Sequence, residues 1–176
     1  MDIDVDILAG PAELDVLEPL WIALHRHHRT VVPSAVTLVD DDAVSWSRRR
    51  ELYRAWMAAG DALVLVARRG GVAVGYAVAH LQDGPDDTFA VGARYAELYS
   101  LSVAPEVRGG GVGTALMDAL DERLAELGIT DLSVGVMAAN EEALRFYRRR
   151  GLAPVELVLW RFGAPANDKS RPMGGS

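Results

Sequence analysis

Arg108-Gly109-Gly110-Gly111-Val112-Gly113 stands between an apolar run ending at Val103 and a helical pattern starting near Val112. Glycines at a strand-to-helix junction let the backbone approach a ligand with no Cβ in the way. The first N–H groups of a helix have no partner within it. Together with the positive end of the helix dipole they make an anion site, typically for phosphate. A phosphate-bearing ligand is therefore expected at residues 108–114. A P-loop needs a lysine after its last glycine, and this loop has none. A dinucleotide fingerprint needs a third glycine where Thr114 stands, and a place early in a βαβ unit. The remaining reading is a cradle for the pyrophosphate of coenzyme A.

Two other groupings carry chemistry-bearing side chains. His25 to Arg29 gather three histidines and two arginines at the end of a helical pattern. His25 and His28 share a face, but no carboxylate lies at helical spacing to complete a ligand set. Cations are favoured at a helix C-terminus in any case, so no metal is expected. Asp83, Asp86 and Asp87 lie in a polar loop and are either solvated or placed to meet a cationic substrate.

Composition narrows the classes further. The 176 residues are half apolar, enough for one domain with a sizeable core, expected over 1–163 with a flexible tail over 164–176. With no cysteine there are no disulfides, thiolate metal sites or cysteine nucleophiles. No apolar run is long enough to span a membrane, and the acidic start is unlike a signal peptide, so a cytoplasmic protein is expected. The net charge of −7 argues against a nucleic-acid partner.

The elements that must position the loop follow from periodicity. Ile3, Val5 and Ile7 alternate as in a strand. Leu14 to Leu24 has helical spacing, with Pro19 as a kink or division. Residues 30–40 read as a loop. Asp40 to Asp42 offer a cap for a second helix with Trp46, Tyr53 and Trp56 on one face, as core or as a substrate-cleft wall; Gly60 ends it. Residues 62–67 and 72–79 form a hairpin around Arg68 to Gly71. A strand over Glu97–Val103, a helix from Val112 to Gly128, a strand over 132–136 and a helix from Asn140 to Gly151 follow. Residues 154–162 alternate and read as a last strand or hairpin. Alternation places Glu97, Tyr99, Leu101 and Val103 on one face of their strand.

Arg108-x-x-Gly111-x-Gly113, preceded by Leu101-Ser102-Val103-x-Pro105, resembles the acyl-CoA loop of the GNAT superfamily of N-acetyltransferases. Asn140-x-x-Ala143-x-x-Phe146-Tyr147-x-x-x-Gly151-Leu152 is similar to that family's later motif. The resemblance is specific over Glu97–Leu152 and only topological before Ala93. It implies an α/β (α+β) GNAT fold. A mixed sheet of six to seven strands is flanked by about four helices, with splayed central strands holding CoA. Acetyl-CoA is then the co-substrate, with no metal, and the acceptor is a small-molecule or peptide amine. A homodimer is also in keeping with it.

The same resemblance assigns roles. The pyrophosphate sits on the backbone of Arg108, Gly109, Gly110, Gly111, Val112, Gly113 and Thr114. Pantetheine lies along Leu101, Ser102 and Val103 as an added strand. The Val103 N–H polarises the acyl carbonyl. Glu97 is the candidate base, because an alkyl amine must lose a proton before attack. Tyr147 is the candidate acid for the departing thiolate, and Asn140 and Ala143 line the pantetheine path. The competing reading is an acyl-CoA-binding sensor or interaction module without turnover, which needs neither Glu97 nor Tyr147. Aromatics of the first half with the acids of 81–93 suggest a cationic acceptor with apolar bulk.

Overall fold

A computed structural model describes residues 2–34 and 36–162. Strand β1 (Asp4–Ile7) leads through a 3-10 turn (Pro11–Leu17) into helix α1 (Glu18–Val31). Pro19 stands in the first turn of α1, where its missing N–H costs nothing, so the proline divides two helical segments without kinking either. Helix α2 (Asp42–Ala59) starts on Asp41, whose carboxylate accepts from the Val44 N–H at 2.9 Å. It ends at Gly60 in the left-handed conformation, φ 80°.

The hairpin β2 (Ala62–Arg69) and β3 (Val72–Asp83) turns through Gly70 and Gly71, both at positive φ as a tight hairpin turn needs. β4 (Arg94–Val103) pairs antiparallel with β3, and a second 3-10 turn (Pro105–Val107) carries the chain to α3 (Val112–Glu126). β5 (Leu132–Val134) returns parallel to β4, and α4 (Glu141–Arg149) follows. The sheet has five strands in the order β1-β2-β3-β4-β5.

Each side of the sheet is covered. Leu65, Ala77, Ala79, Leu98 and their neighbours pack under α3 with Val112, Leu116 and Leu120. Val64, Val66, Tyr76 and Val78 face α1 and α2, packing with Leu14, Leu17, Trp21 and Tyr53. Among the described residues no helix is long and apolar enough to cross a membrane.

Two sequence expectations change. The strand expected over 154–162 does not form: these residues pair with no strand among the described residues, and Val155 and Trp160 are 75% and 77% exposed. Alternation needs a free edge of matching length to become a strand, and β5 is only three residues long. The sheet thus has five strands rather than six to seven. The tail over 164–176 lies outside the described residues.

The second change is in β4. Leu98 pairs with Ala79 and Ser100 with Val78, so Tyr99 is an extra residue and the strand carries a bulge. Leu98 is in the α3-side core, and Leu101 and Val103 pack against that same core. Tyr99 meets Trp56 of α2, and the Ser100 hydroxyl is 2.5 Å from the Tyr53 phenol. Glu97 and Tyr99 therefore face α2 while Leu101 and Val103 face α3. The single face drawn by simple alternation is split by one residue.

Candidate active site

The site begins where β4 and β5 part. Their ladder runs from Ala96–Leu132 to Leu98–Val134 and stops, while β4 continues to Val103. Residues 100–103 pair only with β3, leaving one strand edge open. The Ala104 N–H donates to Val74 of β3 at 2.9 Å, so by alternation Leu101 and Val103 turn their N–H groups to the open side. Arg108 Nε donates to the Val103 carbonyl from that side at 3.3 Å.

The open edge runs straight into the start of α3. Gly111 caps this helix at φ 85° and offers no side chain to its N–H groups. The first helical bond is Ala115 N–H to Gly111 C=O, so the N–H groups of Val112, Gly113 and Thr114 have no partner in the helix. Asp41 and Asn140 do cap α2 and α4. Gly110 sits against Val107 and accepts a bond from Arg69 Nη2 at 3.4 Å. The Phe146 ring of α4 lies against Gly113, where a Cβ would meet it at the ordinary contact distance of 3.5 Å.

A cavity of about 370 Å³ joins these parts. Of the residues expected from the sequence, Leu101, Ser102, Val103, Arg108, Gly109, Gly111, Val112, Gly113, Thr114, Asn140, Ala143 and Tyr147 line it. Gly110 turns behind the loop. Asn140 Oδ1 accepts from the Ala143 N–H at 3.1 Å, which occupies its oxygen with helix capping. Tyr147 is buried beside Phe146, and desolvation pushes its phenol from 10.0 up to about 12. The phenol is therefore a proton donor throughout the physiological range.

Glu97 does not line this cavity. It is half-buried on the α2 face, accepting from Gln82 Nε2 at 2.9 Å, and the Gln82 carbonyl accepts from the Tyr95 hydroxyl at 2.9 Å. His80, its cross-strand partner, stacks on Trp56 with ring centroids 4.1 Å apart.

Sequence reasoning missed Leu24 and His27 of α1 and Glu142, Phe146 and Arg149 of α4 as lining residues. The α4 set was within reach, because 142, 146 and 149 recur at helical spacing beside Ala143 and Tyr147. The α1 pair depended on how α1 crosses β4. Of the histidine cluster, His25 Nε2 meets the Val39 carbonyl at 2.8 Å, and no group of three metal-ligating side chains forms among the described residues. Asp86 accepts from the Thr88 and Phe89 N–H groups at 2.8 and 2.7 Å, and Asp83 lies 3.8 Å from Arg94. Those acids hold their own loop together.

The family model described as Acetyltransferase (GNAT) family matches residues 32–152, and the chain belongs to that family. A mycothiol acetyltransferase of Propionibacterium freudenreichii is 32% identical over 144 residues, 81% of this chain and 41% of that protein. An L-2,4-diaminobutyric acid acetyltransferase of Nocardia farcinica is 31% identical over 116 residues, 63% of this chain and 56% of that protein. The chain thus spans about half the length of these curated relatives. The crystal structure of a GCN5-related N-acetyltransferase from Ralstonia eutropha has the same fold, with TM-score 0.72 at 19% identity over 92% of this chain and 99% of that one.

Proposed function

We propose that this chain transfers the acetyl group of acetyl-CoA directly to a primary amine of a small-molecule or peptide acceptor, in a ternary complex. One observation carries the reading: the open edge of β4 leads without interruption into the uncapped start of α3, with the Tyr147 phenol in the same cavity. The residues fit acetyl-CoA. Bare N–H groups at Val112 to Thr114 suit a pyrophosphate, and the outward N–H groups of Leu101 and Val103 suit an amide-bearing arm added as a strand. Relatives named for mycothiol and for L-2,4-diaminobutyric acid support a small-molecule acceptor.

When bound, acetyl-CoA supplies an activated acyl carbon. The chain contributes the rest. The Val103 N–H is a fixed donor for the charge that develops on the acyl oxygen, a contact worth about 2.7–4 kcal/mol in other acyl transfers. Glu97 takes a proton from the ammonium form of the acceptor. It reaches the acceptor through a water, because it stands on the α2 face outside the cofactor cavity. The acceptor nitrogen forms the new C–N bond as the C–S bond breaks and its electron pair leaves on sulfur. Tyr147 donates a proton to that sulfur, and the second nitrogen proton, shed as the amide forms, passes through water to restore the phenol.

Thiol release from acetyl-CoA with a panel of amines is the test. Acceptor-dependent thiol with an acetylated product is expected. Tight acetyl-CoA binding with no acceptor-dependent thiol would instead favour a sensor or interaction module. We also infer a homodimer: Val155, Leu157, Leu159 and Trp160 are exposed apolar side chains that a second copy would cover. Sedimentation of the whole chain tests this, and a monomer at working concentration refutes it.

A further inference from the structure

A second cavity, of about 220 Å³, lies between α1, α2 and β4. Trp21, Ser45, Arg48, Arg49 and Tyr99 line it. Its centre is the Arg49 guanidinium, 4.2 Å from the centroid of the Trp21 ring and 4.6 Å from that of Tyr99. Both rings are held: the Trp21 indole N–H donates to the buried Ser45 hydroxyl at 3.2 Å and its ring stacks on His25, while Tyr99 meets the Trp56 ring edge-on. Arg49 is thus fixed before any ligand arrives.

Its charge is unanswered. On the same helix Arg50 pairs with Asp15 and Arg54 with Glu51, yet among the described residues no carboxylate lies within 4.0 Å of Arg48 or Arg49. Arg49 Nη1 is buried without a hydrogen-bond partner. In a chain of net charge −7, acids are not scarce. A guanidinium set among aromatic rings with a buried donor unused suits a carboxylate, which such a group can grip bidentately.

The two cavities are consecutive along the same elements. α1 sends Trp21 to this one and Leu24 and His27 to the other; β4 sends Tyr99 here and Leu101 to Val103 there. From the phosphate end at Gly111, β4 runs back through Val103 and Leu101 to Tyr99. The arginine cavity therefore lies beyond the acyl end of the cofactor path. Tyr99 sits in the bulge, so along β4 it and Leu101 are at most two strand residues, roughly 7 Å, apart. A short aliphatic chain running along the open strand edge covers a separation of that order.

We propose that the Arg49 cavity is the carboxylate subsite of the acceptor, and that the acceptor is an amino acid bearing a side-chain amine. This rests on the acetyl-transfer reading above and replaces the expectation of a purely cationic acceptor. The carboxylate sits on Arg49, the aliphatic stem packs on Trp21 and Tyr99, and the amine reaches the acyl carbon. There the C–N bond forms, the C–S bond breaks with its electron pair leaving on the sulfur that Tyr147 protonates, and the amine proton leaves to base.

The test compares L-lysine with cadaverine and L-ornithine with putrescine, pairs that differ only by the carboxylate. We expect kcat/KM for each amino acid to exceed that of its diamine roughly 10- to 100-fold, the scale of a charge-assisted hydrogen bond. Arg49→Ala and Arg49→Gln should bring the ratio to about 1, with acetyl-CoA affinity as the folding control. Equal or better use of the diamines, or a ratio that survives both substitutions, overturns the subsite. If no amine releases thiol, the transfer reading fails by itself. Calorimetric binding of L-lysine in the presence of CoA then decides the subsite: binding lost in Arg49→Gln supports it, and no binding to the unaltered chain refutes it.

Discussion

Gly75 offers a way to disturb the cofactor site without touching its surface. It lies in β3 behind the start of α3. A Cβ placed on it would stand 2.8 Å from Val112 Cγ1, 2.9 Å from the Ser102 carbonyl oxygen and 3.2 Å from Leu116 Cδ1. The carbonyl is fixed in the sheet, and valine has little χ1 freedom in a helix, so neither yields cheaply. The added methyl must lift the first turn of α3 or bend β4 at Ser102. Overpacking of this kind costs about 1–3 kcal/mol, which for a chain of this size lowers Tm by roughly 2–12 °C. The lifted turn is the one whose N–H groups face the phosphate path. Loss of one charge-assisted bond, about 1.5–3 kcal/mol, weakens acetyl-CoA binding roughly 10- to 100-fold. Thermal melts and calorimetry on Gly75→Ala measure both. Gly10→Ala is the control, since a Cβ there meets nothing within 4 Å. Unchanged Tm and unchanged affinity in Gly75→Ala would refute the packing argument. A lower Tm with full affinity would detach the α3 start from cofactor binding.

Tyr147→Phe should lower kcat roughly 100-fold while leaving acetyl-CoA affinity close to that of the parent; parental turnover removes the phenol from the mechanism. Glu97→Gln should lose rate most at low pH, where more of the acceptor is protonated, and an unaltered pH–rate profile counts against Glu97 as base. His28 is pushed down from 6.5 to about 4, mainly by burial and then by the positive charge of His25, His27 and Arg49. The unfolded chain binds the proton first as pH falls, so stability drops between pH 6.5 and 4, by about 3 kcal/mol in all. Denaturant titrations across that window should show the drop, and His28→Gln should flatten it.

Much of this site was readable from local pattern. The glycine loop, the Val112 helix and the Asn140 cap each follow from residues adjacent in sequence, and each stands where expected. What was not readable depended on pairing across the sheet. Tyr99 looks like any strand residue until its partner strand shows that Leu98 and Ser100 oppose neighbouring residues. Glu97 was placed with Leu101 and Val103 for the same reason. Residues 154–162 alternate as a strand should, but a strand also needs an edge, and periodicity does not report one. The acids of 81–93 and the arginines of α2 are both charge runs in sequence. Only the fold shows that the first close their own loop while Arg49 turns inward between rings.

The extra residue at Tyr99 has a consequence for how this enzyme family can diversify. β4 is a single continuous strand, yet the bulge sets its two halves out of phase. Side chains before it look toward α2, and alternate side chains after it look toward α3. Substitutions at Glu97 or Tyr99 can retune what is accepted, while Leu101 and Val103 go on holding the donor. A deletion of Tyr99 would leave plain alternation, with Leu98, Leu101 and Val103 still toward α3 and Ser100 and Ser102 away from it, and would remove only the ring that meets Trp56. The bulge is the joint at which a variable specificity is spliced to a constant chemistry.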